Sequence, residues 1–248
     1  MGFQKIEVIG IGRSGTHAVS SWFAGQFDSS LFASYSEIFY RKKSPYYTSE
    51  KTIEKRVGNK NDIFKDIKQL NVNGLVLKAE QKALTSNIKN FYKEEWSFLR
   101  NDFEKLGSEN NKNILLLRNP YNVYASLIQW KYKSPFKNNV DLFINSWISY
   151  AQEFLGETSY IPNKVSLYYD EWVLNKEYRR KISAMADTFF NDKYKEQKSS
   201  GGGGSSFSND NFLKRHQNVN NPSMILLKDN DRINNYYLKI LENVKAQG

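Results

Sequence analysis

The stretch Lys5-Ile6-Glu7-Val8-Ile9-Gly10-Ile11-Gly12-Arg13-Ser14-Gly15-Thr16-His17 decides how the rest of the chain is read. Ile6, Val8, Ile9 and Ile11 form a short apolar run that stops at glycines. A second apolar pattern, Ala18, Val19, Trp22 and Phe23, follows at helical spacing. The order is strand, glycine turn, helix N-terminus. Glycine permits a tight turn and close backbone approach, and the amides of a first helical turn have no partner inside the helix, so they attract an anion. Ser14 and Thr16 add hydroxyl groups, and Arg13 adds a permanent positive charge. These residue types suit a phosphate or sulfate group; a plain strand-to-helix turn with no ligand is the alternative.

Two phosphate loops compete for the segment, and each fits in part. A nucleoside triphosphatase loop reads G-x-x-x-x-G-K-[ST], its lysine reaching the terminal phosphates. Gly10 and Gly15 have that spacing, but Thr16 and His17 follow instead of a lysine, and the cation sits inside the loop at Arg13. A dinucleotide fingerprint matches Gly10, Gly12 and Gly15 in spacing alone. Its ribose-binding acid belongs about 20 residues further on, where Glu37 sits in a Ser-Tyr-Ser-Glu context that does not read as a strand end.

Three further apolar runs end in polar or charged residues. Gly74-Leu75-Val76-Leu77-Lys78-Ala79-Glu80 is a buried strand delivering Lys78 and Glu80, which share one side of an extended chain. In open α/β sheets ligands bind beyond the carboxyl ends of the strands. Asn113-Ile114-Leu115-Leu116-Leu117-Arg118-Asn119-Pro120 ends in Arg118, with Pro120 suited to the first turn of the next helix. Ser126 falls about two turns along that helix, so its hydroxyl can point back toward the strand end. Val165-Ser166-Leu167-Tyr168-Tyr169-Asp170-Glu171-Trp172 reads as a fourth strand running into a helix. Helical periodicity predicts core-packing helices over 84–106 and 138–156, and another over 232–244.

Gly12-Arg13-Ser14-Gly15-Thr16 resembles the 5′-phosphosulfate loop of the PAPS-dependent sulfotransferases, which carry [RK]-S-G-T after the first strand. Arg118-Asn119-Pro120 with Ser126, eight positions after the arginine, resembles that family's 3′-phosphate motif. Lys78-Ala79-Glu80 resembles its lysine-x-base strand end, with Glu80 in the base role. Tyr169 matches the tyrosine of the family's [LI]-x-Y-E-[DE] segment, which touches the nucleotide, although a tyrosine at a buried strand end also serves as packing. Ser199 to Ser206 is a glycine–serine run that composition alone calls a flexible linker. The resemblance instead implies a loop over 197–216 that closes on the cofactor through Ser206, Phe207, Lys214 and Arg215.

The resemblance implies one α/β domain over 1–248, a three-layer sandwich with a central parallel sheet of about four or five strands, similar to the P-loop nucleoside triphosphatases. Its implied reaction moves a sulfuryl group from PAPS to an acceptor hydroxyl or amine, on a small molecule or a glycan, and releases 3′,5′-bisphosphoadenosine (PAP) without a metal. Cofactor binding falls to Gly12, Arg13, Ser14, Gly15, Thr16, His17, Arg118, Ser126 and Tyr169. Arg13 and Lys78 stabilise developing charge. Glu80 is the general base, and His17 is a hydrogen-bond donor or the alternative base.

Composition bounds these readings. In 248 residues there are 36 Lys and Arg against 26 Asp and Glu, a net charge of +10, so an anionic partner is expected. No cysteine is present, which excludes a disulfide framework and a thiolate metal site. No signal-like segment or long apolar run occurs, and a cytoplasmic protein without a membrane partner is the expectation. Residues 40–70 hold nine Lys and Arg against four Asp and Glu, interleaved with Tyr40, Tyr46 and Tyr47. A solvated helical face with loops is one reading of that run; the other makes 28–70 a substrate-side insertion. Nucleic-acid binding would use similar interleaving, but no nucleic-acid module accompanies it and none is expected as a partner. Beside the sulfotransferase stand two alternatives, a P-loop kinase or triphosphatase and a non-enzymatic basic module that binds nucleic acid or an anionic glycan.

Overall fold

The apolar runs that end at Ile11, Glu80, Leu117 and Tyr168 all become strands of one sheet. The computed structural model describes residues 4–27, 29–34, 37–43, 48–54, 74–81, 110–129, 134, 136–192, 219 and 221–247. The strands are β1 (Gln4–Ile11), β2 (Ser29–Ser34), β3 (Glu37–Lys43), β4 (Thr48–Glu54), β5 (Gly74–Gln81), β6 (Asn110–Leu117) and β7 (Lys164–Tyr168). They lie in the order β4-β3-β2-β5-β1-β6-β7. The five strands β2, β5, β1, β6 and β7 run parallel, and β3 and β4 extend the β2 edge antiparallel.

Among the described residues the helices are α1 (Thr16–Ala24), α2 (Pro120–Gln129), α3 (Val140–Leu155), α4 (Tyr169–Leu174), α5 (Lys176–Met185), α6 (Pro222–Lys228) and α7 (Asp231–Gln247). They cover both faces of the sheet. Ile6, Val8, Val76, Ile114, Leu116, Val165 and Leu167 pack against Val19, Trp22 and Phe23 of α1, Trp172 of α4 and Ile182 of α5. Ile9, Ile11, Leu115, Leu117 and Tyr168 pack on the other side against α2, α3, α6 and α7. Successive strand residues point to opposite faces, and both faces are sealed, which is why these strands read as nearly continuous apolar runs. The architecture is the three-layer α/β sandwich expected from the sequence.

Register sets the site. Gly10 of β1 pairs with Glu80 of β5 on one side and Leu116 of β6 on the other, and Leu117 pairs with Tyr168 of β7. The carboxyl ends of four neighbouring strands therefore open on one edge of the sheet, with the glycine turn near the middle.

The basic run departs from its expected form. Residues 37–43 and 48–54 are strands, not a helical face with loops, and β2 is a parallel strand that the apolar pattern did not reveal. β4 lies at the sheet edge, where charge blunts pairing with other chains, and β3 beside it is charged too. β2 is short, with three apolar residues between serines, so none of the three has the long apolar run of the central strands. The helix expected over 84–106 and the loop over 197–216 lie outside the described residues. No helix among the described residues is long and apolar enough to cross a membrane.

Candidate functional site

The turn after β1 is built from short local contacts. The Ser14 amide and hydroxyl both donate to the Ile11 carbonyl, at 3.1 and 2.6 Å. Gly15 caps α1 in the left-handed region at φ 100°. A Cβ at Gly15 would stand 2.1 Å from Cε2 of Tyr169, so the turn lies directly on that ring. A Cβ at Gly10 would stand 2.7 Å from the Ser14 hydroxyl and 2.9 Å from the Thr16 methyl. Backbone conformation and packing both demand glycine at position 15; at position 10 packing alone does. Arg13 is exposed and left-handed at φ 73°, and its Nε donates to the Ser126 hydroxyl at 3.0 Å.

Arg118 leaves the end of β6 and meets the same turn. Its Nη1 donates to the Arg13 carbonyl at 3.4 Å, and its guanidinium lies 4.7 Å above the centre of the Tyr169 ring. Its Nε stands 3.6 Å from Oδ1 of Asp170, an ion pair longer than a hydrogen bond. The Arg118 carbonyl accepts from the Trp147 indole of α3 at 2.9 Å. The side chain is 3% exposed, so this cation is held in a low-dielectric setting.

Asn119 and Asp170 fasten the region. The Asn119 side-chain oxygen accepts from the amides of Tyr121 and Asn122, satisfying the start of α2, where Pro120 is the first residue. Its amide nitrogen donates to the Tyr237 hydroxyl of α7 at 2.8 Å. The Asn119 backbone amide donates to Oδ2 of Asp170 at 3.2 Å. Burial pushes the Asp170 carboxyl above the usual carboxylate range, and Arg118, the Asn119 amide and the Tyr168 hydroxyl offset only part of that rise. Tyr168 is itself pushed well up, first by burial and then by its contacts with Asp170 and Tyr237.

The turn residues Gly12 to Thr16, Arg118, Ser126 and Tyr169 thus come together from three strand ends. Ser14, Thr16, Arg118, Ser126 and Tyr169 are buried, and His17 is half-buried in the first turn of α1. Tyr169 lies beneath the turn as a packing surface for Gly15 and Arg118. Lys78 and Glu80 occupy β5 positions in register with Val8 and Gly10, but their side chains lie outside the described residues. Ser206, Phe207, Lys214 and Arg215 also lie outside them. Sequence reasoning assigned no role to Asp170, Asn119, Trp147 or Tyr237. Asn119 carried a signal as the middle residue of the Arg118-Asn119-Pro120 motif, and Asp170 as an acid directly after Tyr169 at a predicted helix start.

Two arginines, a serine hydroxyl and a helix N-terminus on one sheet edge can receive two separated anionic groups. Among the described residues no group of three His, Asp or Glu side chains is placed to hold a metal ion.

No protein-family model matches this sequence, and no curated protein does. Among solved structures, the chain is similar to a sulfotransferase domain from the curacin biosynthetic pathway, at 16% identity over 96% of this chain and 97% of that one, with a TM-score of 0.45. A likeness of that degree says nothing of substrate or activity.

Proposed function

We propose that this chain is a sulfotransferase that moves a sulfuryl group from PAPS to the hydroxyl or amine of a small-molecule or glycan acceptor and releases PAP. One observation carries the reading. Segments 105 and 113 residues apart in sequence meet, Arg118 on the Arg13 carbonyl at 3.4 Å and Arg13 on Ser126 at 3.0 Å. A turn made to receive one anion therefore sits against an arginine and a serine suited to a second.

The residues fit such a donor. The turn, held against the Tyr169 ring at Gly15, offers the α1 amides to the 5′-phosphosulfate. Arg118 and Ser126 serve the 3′-phosphate, and Arg13 lies between the two groups. Tyr169 supports the turn from beneath. In the same reading Ser206, Phe207, Lys214 and Arg215 close over the nucleotide. When bound, the donor supplies an already activated sulfuryl group, and the chain's own chemistry is to hold charge and move one proton. Glu80, in register beside Gly10, takes the acceptor's proton. Lys78, Arg13 and the turn amides steady the negative charge that develops on the departing side, with His17 as a further donor.

PAP should raise the melting temperature of the purified chain, with stabilisation of about 2.7 kcal/mol at 100 times its dissociation constant. ATP with magnesium should do much less, and Arg118→Ala should abolish the effect of PAP. Equal stabilisation by ATP and magnesium would favour a P-loop kinase instead. Once an acceptor is found by mass spectrometry, Glu80→Gln should lower turnover by roughly 100-fold while PAP still stabilises; near-normal turnover removes Glu80 from the mechanism.

A further inference from the structure

We infer that Asp170 is a positioning residue for recognition of the 3′-phosphate: it fixes the Arg118 guanidinium in the orientation that the phosphate meets. The inference rests on the sulfotransferase reading and extends it to a residue with no part in the transfer itself.

Arg118 is restrained from three directions by three segments. Asp170 of α4 faces its Nε, the Arg13 carbonyl accepts from its Nη1, and the Tyr169 ring lies under its plane. A guanidinium is a rigid planar fork, so contacts at two nitrogens and one face leave a single orientation. Asp170 is in turn fixed by the Asn119 amide at 3.2 Å and by contact with the Tyr168 hydroxyl. Tyr168 touches Tyr237, and Tyr237 accepts from Asn119. The chain Arg118–Asp170–Tyr168–Tyr237–Asn119, buried except for the half-buried Tyr237, closes on itself at the junction of β6 and α2. A carboxylate kept only for structure would be expected to carry a full set of short hydrogen bonds. Asp170 instead keeps a 3.6 Å ion pair to the one buried arginine of the site, near enough to orient that cation and long enough to leave its charge available to a ligand.

The test is calorimetric titration of the full chain with two probes, PAP and adenosine 5′-phosphate, which lacks the 3′-phosphate. Asp170→Asn keeps the size of the side chain and an acceptor for the Asn119 amide. It should weaken PAP about tenfold and leave adenosine 5′-phosphate within about twofold. Equal weakening of both probes would mean that Asp170 serves only the fold. Unchanged or tighter PAP binding in Asp170→Asn also overturns the inference, because the carboxylate would then be idle or a competitor of the ligand. Wild-type protein that binds neither probe overturns the sulfotransferase reading and this inference together, whereas discrimination that survives in Asp170→Asn overturns this inference alone. If Asp170→Asn does not fold, Tyr168→Phe removes the hydroxyl beside the carboxylate and keeps the ion pair. Its discrimination should fall by about threefold, and unaltered discrimination overturns the inference.

Discussion

Glu153 in α3 and Asp170 in α4 are both buried carboxylates, and the surrounding chain answers them very differently. Glu153 accepts from the Lys164 ammonium at 2.8 Å, the Thr158 hydroxyl at 2.6 Å, and the amides of Tyr160 and Ile161 at 3.0 and 3.2 Å. Burial pushes its carboxyl up, but these four donors outweigh burial and hold it below the usual range. Asp170 has one backbone amide, a tyrosine contact and a long ion pair, and there burial wins. A carboxylate that closes a turn can be saturated with donors. Asp170 faces the Arg118 guanidinium with a longer and weaker hold, and in the proposed function that cation is left to meet the 3′-phosphate.

The largest expected effect tests the structural half of that contrast. Glu153→Ala leaves two amides without their acceptor and the Lys164 ammonium without its carboxylate, holding only the main-chain carbonyl of residue 153, and should cost about 3–5 kcal/mol in urea unfolding. The added stabilisation by PAP should be unchanged, because Glu153 is remote from the turn in its contacts. A loss below about 1 kcal/mol would mean that the saturated cluster is no stronger than a surface pair, and the contrast would fail.

A smaller effect separates the two acids by sign. Glu153 titrates lower in the folded protein than in the unfolded chain, so its stabilisation is present above the unfolded value and disappears as pH falls through the folded one. Asp170 titrates higher when folded, so its contribution is present at low pH and disappears as pH rises through the folded value. Melting curves between about pH 3 and 6 should therefore show a shallower acid decline in Glu153→Gln than in wild type, and a steeper one in Asp170→Asn. Parallel shifts of both variants would erase the distinction.

What the sequence disclosed follows from where the signals are local. The β1 run, its glycine turn and α1 are announced by residues within one short stretch, as are β6 with Arg118-Asn119-Pro120 and β7 with Tyr169. Strands buried on both faces must be apolar throughout, and a turn against a tyrosine ring must be glycine, so both leave marks in the chain. The β2–β4 extension left little: β4 is a charged edge strand and β3 is charged beside it, while β2, Ser29–Ser34, has only Leu31, Phe32 and Ala33 as its apolar run. The reach of Arg13 to Ser126 was equally hidden: the resemblance implied an arginine that stabilises charge in the transfer, but a side chain's direction depends on backbone angles and on a helix more than a hundred residues away. Asp170 was visible as a letter but not as a partner, since its meaning comes from Arg118 across the sheet edge.

The left-handed backbone at Arg13 has a consequence for how this protein would respond to selection. A residue with a side chain enters that region at a cost of roughly 1 kcal/mol or more, whereas glycine enters freely. Pressure for heat tolerance alone would push position 13 toward glycine and, in doing so, erase the cation. Under the proposed function, the arginine is thus a place where durability and chemistry pull against each other.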